Sequence, residues 1–286
     1  MDHNRRKYAG DLHGVVNLVT FVDERFPTVA SRFLRQARKF GELNSVKILS
    51  ERSLTSEFQT RHRAVLRAEV KGFGYYCWKP QIIAQELETI RDGEILAYVD
   101  AGSHLKRSGL GRWNDYIDIC TASDSGILAF QTDRVEKEWT KGDVIDHFGV
   151  RNRREIIDSG QIQAGLVFIV NSAQTRRFVA EWKETFEQNF SLIDGSPSKS
   201  PNLPGFIRHR HDQSIFSVLA KSRNVTLLSA VEQDGDGTPQ AVGLPFKFPV
   251  HHKRDMPGHP SRRLRVRLRN ARRSIDELVK RLDPHR

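Results

Sequence analysis

EILAYVDAGSHL, residues 94–105, is the stretch on which the fold turns. An apolar run of strand length ends on the carboxylate of Asp100 and gives way at once to Ala101 and Gly102. PQIIAQELETIRDG (80–93) lies just before it, with proline at a first helical position, apolar residues at helical intervals and a closing glycine, and this pattern predicts a helix feeding the strand. Upstream, VVNLVTFV (15–22), TVASRFLRQARKFG (28–41) and SVKILS (45–50) read as strand, helix, strand. Such a βαβ unit calls for a parallel sheet. GILAF (126–130) and GLVFIV (165–170) supply later strands. Open α/β sheets gather ligands at the carboxyl ends of their strands, which is where Asp100 stands. A lone aspartate there also serves as a turn former or helix cap, so position alone gives it no role.

The chain has 286 residues, 38% hydrophobic and 28% charged, a balance that suits a soluble α/β domain with a substantial core. No apolar stretch approaches the roughly 18 residues that span a bilayer. MDHNRRKYAG at the start carries basic residues without an apolar segment behind them, unlike a secretory signal. The two cysteines, Cys77 and Cys120, argue against a disulfide framework and for a reducing, cytoplasmic compartment.

The net charge of +11 is unevenly spread. Residues 253–286 hold twelve Lys or Arg against four Asp or Glu, so eight of the eleven net charges lie there. SRRLRVRLRNARRSIDELVKRL spaces Leu264, Leu268, Ala271, Ile275, Leu278 and Leu282 by fours and threes, the pattern of an amphipathic helix with an arginine-rich polar face. Such a helix docks on the domain with its basic side in solvent, or lies on an anionic membrane surface. Nucleic acid is disfavoured as a partner because the segment lacks aromatics for base stacking. DGSPSKSPNLPG (194–205) and EQDGDGTPQAVGLP (232–245) read as loops within one unit, not as linkers. The expected organisation is one domain over residues 1–254 and a basic helical extension over 255–286.

GYYCWKPQII, ILAYVDAG, QIQAGLVFI, RHDQSIFSVL and the late VHHKR follow one another in an order that resembles nucleotide-sugar glycosyltransferases of the GT-A fold. The likeness runs from about Val15 to Arg254 and is greatest to the retaining galactosyltransferase and glycogenin-like group and to bacterial polysaccharide transferases. It implies a single Rossmann-like α/β domain with a mostly parallel central sheet flanked by helices. It also implies a nucleoside-diphosphate-sugar donor and a glycan or lipid-linked acceptor; the basic C-terminal helix and a cytoplasmic location would suit building a surface polysaccharide or lipid-linked glycan at the inner membrane face.

Residue by residue, Asp100 matches the first aspartate of the family's Asp-x-Asp, and Gly102 replaces the second, usually the principal metal ligand. His251 or His252 resembles the late metal histidine, with Lys253 or Arg254 beside the phosphates. A manganese or magnesium ion would thus have only Asp100 and a histidine from the protein, and either donor phosphates complete its shell or cationic side chains replace it. Gln161 and Gln163, before Ala164 and Gly165, fall where the family presents sugar-reading amides. Asp212 and Gln213 match the Asp-Gln pair at the anomeric carbon, and Asp212 also reads as a helix cap. Lys79, beside a helix N-terminus, suits a phosphate. Thr20 and Phe21, at the end of the first strand, lie where the resemblance puts the nucleotide base. Asp143, three residues after Thr140, reads as half of a capping box.

Sugar transfer loads positive charge on the anomeric carbon and negative charge on the departing diphosphate, so it needs cations at the phosphates and a polar group at the sugar. Lys79, the late histidines and Lys253 or Arg254 suit the first task; Asp212, Gln213 and Gln163 suit the second. If Asp212 only positions the sugar, as the resemblance implies, configuration is retained; if it acts as a base, the centre inverts. A metal-dependent phosphodiesterase or nuclease would also use an aspartate, histidines and basic charge, but it needs clustered carboxylates that the sequence does not present at motif spacing. A non-catalytic nucleotide-sugar scaffold is the other alternative, and Gly102 favours it.

Overall fold

A computed structural model describes residues 14–233 and 247–252. The expected basic helix over 255–286, with Lys253 and Arg254, and most of the 232–245 loop lie outside the described residues. The strands are β1 (Val16–Phe21), β2 (Ser45–Leu49), β3 (Ile95–Val99), β4 (His104–Leu105), β5 (Ile127–Val135), β6 (Gly160–Val170), β7 (Thr226–Ser229) and β8 (Val250–His251). Six form the central sheet in the order β2-β1-β3-β6-β5-β7, and β4 pairs with β8 in a two-stranded ribbon.

β1 and β3 are buried on both faces because helices cover both sides, so their apolar side chains divide between two cores. Leu96 and Tyr98 enter one, with Ile82, Trp182 and Phe216; Ile95, Ala97 and Val99 enter the other, with Phe33 and Trp113. The Pro27–Phe40 helix links β1 to β2, and the two strands pair in parallel, as the βαβ reading requires. β1 with β3 and β5 with β7 are also parallel, whereas β6 pairs antiparallel with both β3 and β5. The architecture is the expected mixed α/β one, a mainly parallel sheet flanked by helices, with a single reversed strand.

Three boundaries differ from the sequence reading. The helix expected over 80–93 spans Trp78–Leu87, so Pro80 sits in its first turn, where its missing N–H costs no hydrogen bond. β5 and β6 outrun their apolar cores because they pair with each other through the polar stretch Gln131–Val135 and Gly160–Ile162. The capping box at Thr140 does not form. The Thr140 hydroxyl donates to Glu136 at 2.5 Å, and Asp143 instead accepts the backbone N–H groups of Lys199 and Ser200, pinning the 194–205 loop.

Candidate active site

The chain enters this site through an unusual turn. Gly72, Phe73, Gly74, Tyr75 and Tyr76 all have positive φ, between 52° and 90°. Left-handed backbone costs a non-glycine residue about 1 kcal/mol or more, so the surroundings must hold Phe73, Tyr75 and Tyr76 in place. Trp78 helps, donating from its indole to the Gly72 carbonyl at 2.9 Å and stacking on Phe21 with ring centres 3.8 Å apart. The turn delivers Lys79 into the protein rather than to its surface.

The Lys79 ammonium lies 3.2 Å from Asp100 Oδ1 and 3.0 Å from Asp212 Oδ2, and donates to the Ala164 carbonyl at 3.1 Å. The rings of Tyr98, Tyr76 and Trp78 surround it at 5.1–5.9 Å. Its side chain is 4% exposed and that of Asp212 is 5%, but that of Asp100 is 36%, so the chain of ion pairs opens to solvent at Asp100. Burial disfavours the ammonium, yet the two carboxylates outweigh it and hold Lys79 charged, above the ordinary lysine range. Burial likewise disfavours the Asp100 carboxylate, and Lys79, His252 and the Tyr98 hydroxyl, which donates to it at 2.6 Å, together pull its pKa below the usual value. Asp212 is pushed up to about 6, by burial first and with the Asp100 charge adding, against the pull of Lys79.

Gly165 closes the other end. The Asp100 N–H donates to its carbonyl at 2.8 Å. A Cβ added at Gly165 would stand 2.8 Å from Asp100 Oδ2 and 3.1 Å from His252 Nε2, so this glycine is what lets the carboxylate and the imidazole share one spot. The His252 backbone N–H donates to the Gln233 carbonyl at 2.7 Å, and Ser103 Oγ meets the ring's Nδ1 at 3.0 Å, which leaves the Nε2 edge of the ring over Gly165 beside Asp100. Arg32 ties the intervening turn down by donating to the Ala101 and Ser103 carbonyls, with Gly102 between them.

Gln213 follows Asp212 at the start of the Asp212–Ser222 helix, where Asp212 is the first helical residue and not the cap. Its Nε2 donates to Gln161 Oε1 at 2.6 Å. Gln161 is fully buried, and its amide nitrogen faces Glu136, Thr140 and Ser214 at 3.2–3.3 Å. Glu136 is fully buried too, and takes Lys221 at 2.8 Å and the Ser217 hydroxyl. An ionised carboxylate only accepts, so Glu136 forces the Gln161 nitrogen toward itself and the Gln161 oxygen toward Gln213. Gln213 must then donate inward and keep its own carbonyl oxygen for the site. Gln163, half-buried on β6, lies two residues before Gly165.

Several expectations are corrected. His251 is buried with its Nε2 3.1 Å from the Phe248 carbonyl, and it is His252 whose ring lies with the Asp100 carboxylate over Gly165. His251 is held in the short ribbon opposite His104, and His252 follows just past the end of β8. Lys79 is committed to two carboxylates and is not available to phosphate. Thr20 and Phe21 are core residues, 0% and 5% exposed, and Trp78 occupies the face of Phe21 on which a base would stack. Gln161 is a support for Gln213 and has no exposed surface to offer a sugar. Asp100 and His252 supply two metal donors, one already ion-paired, and no group of three such residues occurs among the described residues. That set is too small for an ion held by the protein alone. The sequence reading missed Tyr98 and Ser103; Tyr98 is two residues before Asp100, and strand alternation could have found it.

The buried acids and bases oppose each other in acid. His211, its Nδ1 2.8 Å from the Ile193 carbonyl, is depressed to about 4, by burial first and with Lys71 and Lys141 adding, while Ile193 opposes. A histidine kept neutral in the fold loses stability as pH falls from 6.5, where the unfolded chain takes the proton, to about 4. Asp212 has the opposite sign: its raised pKa lets the fold bind a proton at about 6, before the unfolded chain does at 3.8, and so gain stability on acidification. Asp212→Asn removes that gain. Its urea-unfolding free energy should fall more steeply than the wild type's between pH 6.5 and 4, by on the order of 3 kcal/mol. Parallel curves would show that Asp212 is not perturbed.

No family model matches the chain, and no curated protein matches it by sequence. Solved structures similar to it include the WbbM bifunctional glycosyltransferase, at 15% identity over 87% of this chain and 46% of that one, with a TM-score of 0.44. The galactosyltransferase LgtC, in complex with donor and acceptor sugar analogues, is 14% identical over 82% of this chain and 86% of its own, with a TM-score of 0.45. Mouse xyloside xylosyltransferase 1 is 10% identical over 86% of this chain and 100% of its own, with a TM-score of 0.44. No helix among the described residues is long and apolar enough to cross a membrane.

Proposed function

We propose that the chain is a glycosyltransferase that moves a sugar from a nucleoside-diphosphate sugar to a hydroxyl of a glycan or lipid-linked acceptor. The observation that carries this is the continuous line His252, Asp100, Lys79, Asp212, in which four motifs far apart in sequence meet around Gly165. In this reading the donor's ribose and diphosphate lie at Asp100 and His252, which Gly165 lets stand side by side. The sugar lies over Asp212 and the outward carbonyl of Gln213, with Gln163 beside it.

The bond from the anomeric carbon to the diphosphate oxygen breaks, and its electron pair leaves with the phosphate. The acceptor oxygen bonds to that carbon, and its proton passes to the departing diphosphate. Asp212 is held by Lys79 and positions sugar hydroxyls rather than taking the proton, which favours retention of configuration. Phosphates of the donor would complete the shell of any divalent ion that Asp100 and His252 help to hold; that ion would supply charge stabilisation for the leaving group.

Thermal unfolding with UDP-, GDP- and CMP-sugars, with and without manganese, tests the proposal. One nucleotide class should raise the midpoint selectively, and Asp100→Ala should lower turnover of that donor about a hundredfold with the fold intact. Stabilisation by DNA and by no nucleotide sugar would refute sugar transfer. A donor that binds without turnover to any acceptor would leave the scaffold reading, which Gly102 in place of a carboxylate favours.

A further inference from the structure

The segment before Asp212 concentrates positive charge. Arg134, Arg208 and Arg210 place their guanidinium carbons 5.2–5.7 Å from the ring centre of Trp139, an arrangement in which the indole faces hold and orient cations. Arg208 is exposed and its backbone N–H is tied to the Glu138 carbonyl, which fixes where the side chain starts. Lys71 reaches in from the left-handed turn, 3.0 Å from His211 Nε2. Neither Lys71 nor Arg208 forms an ion pair with a carboxylate among the described residues. Partial burial first, with Arg208 and Arg210 adding and Asp212 only partly opposing, lowers the proton affinity of Lys71.

The order of neighbours places this cluster. His252 and Asp100 lie together over Gly165, Asp100 and Asp212 share the Lys79 ammonium, and Lys71 feels the charges of Asp212, Arg208 and Arg210. In a sugar transfer the anomeric carbon stands between the leaving diphosphate and the attacking hydroxyl. With the diphosphate at the His252 end and the sugar at Asp212, whatever lies beyond Asp212 faces the acceptor. His209 and His211 contribute little charge there, because burial holds both imidazoles neutral.

We propose that Lys71 and Arg208, the latter braced on Trp139, form an acceptor subsite for an anionic group, a phosphate or a carboxylate, carried by the sugar or lipid that receives the glycosyl unit. The inference rests on the sugar-transfer reading and narrows its acceptor to an acidic class. Two side chains of different geometry suit such a group, since a guanidinium binds two oxygens side by side and an ammonium adds a point charge.

The test compares three acceptors built on one alkyl hexoside: neutral, 6-phosphorylated and 6-carboxylated. The wild type should favour an acidic acceptor in kcat/KM, and the faster of the two names the group. Lys71→Gln and Arg208→Gln should each cut that preference about tenfold, the effect of losing one charge-assisted hydrogen bond, and rising salt should erode it. Equal rates on neutral and acidic acceptors in the wild type, or an unchanged preference in both variants, would overturn the proposal. So would variants that raise the KM of the nucleotide sugar and leave the acceptor preference intact, because the cluster would then serve the donor. Calorimetry with the phosphorylated hexoside and no donor separates the two failures. Binding that Arg208→Gln abolishes, in a protein inert to every nucleotide sugar, would uphold the anion site and overturn the transferase reading; no binding in the wild type would overturn the anion site whatever the donor does.

Discussion

Lys79→Met should lose about a thousandfold in turnover and about 3–5 kcal/mol in stability at pH 8, the cost of leaving buried charge uncompensated. The methionine fills nearly the same volume, so the loss is one of charge and not of packing. Asp100 keeps one side open to water and the Tyr98 hydroxyl at 2.6 Å, so most of the stability cost falls on Asp212, which is 5% exposed. Without the ammonium, Asp212 rises further above about 6 and takes a proton in mild acid. The stability deficit should therefore shrink between pH 8 and pH 5 in urea titrations, while turnover stays low because nothing then holds the two acids at their separation. Turnover within tenfold of the wild type would show that the paired acids are a structural brace with no part in the chemistry.

The second large effect lies behind the site. Lys221→Met should cost about 3–5 kcal/mol, because Glu136 has no exposed surface and Lys221 is its only cationic partner among the described residues. Lys221→Met combined with Glu136→Gln should recover most of the loss, since the charge and its partner go together. Turnover should not follow stability. A glutamine at 136 offers Gln161 a donor as well as an acceptor, so the amide order that turns the Gln213 carbonyl outward is no longer imposed. A single variant that unfolds within 1 kcal/mol of the wild type would contradict the assignment of Glu136 as an ionised, buried partner.

Much of this arrangement was legible in the sequence. The βαβ start and the strand ending at Asp100 follow from apolar periodicity, which burial enforces, whereas the grouping of Asp100 with Asp212 and a late histidine was implied only by the resemblance in motif order. The direction of β6 was not legible. GLVFIV buries both faces and reads the same whichever way it runs, and direction is set by the segments that join it to β5 and to the Ala173–Gln188 helix. The burial of Lys79 was hidden for a related reason. A lysine at a helix start suggests an exposed anion site, and only the left-handed turn at 72–76 drives it inward. The choice of His252 over His251 depends on the pairing of His251 with His104 in the small ribbon, which adjacent identical residues cannot reveal.

The reversed strand has a mechanical consequence. β6 is bonded to β3 on one side and β5 on the other, and Gly165, on which Asp100 and His252 converge, lies partway along it. Gly165 itself takes the Asp100 N–H, while the pairing of β6 with β5 shifts register between Gln163 and Phe168 on either side of it. A side chain introduced at position 165 would therefore displace Asp100 and His252 together, so the two can be moved only as a unit.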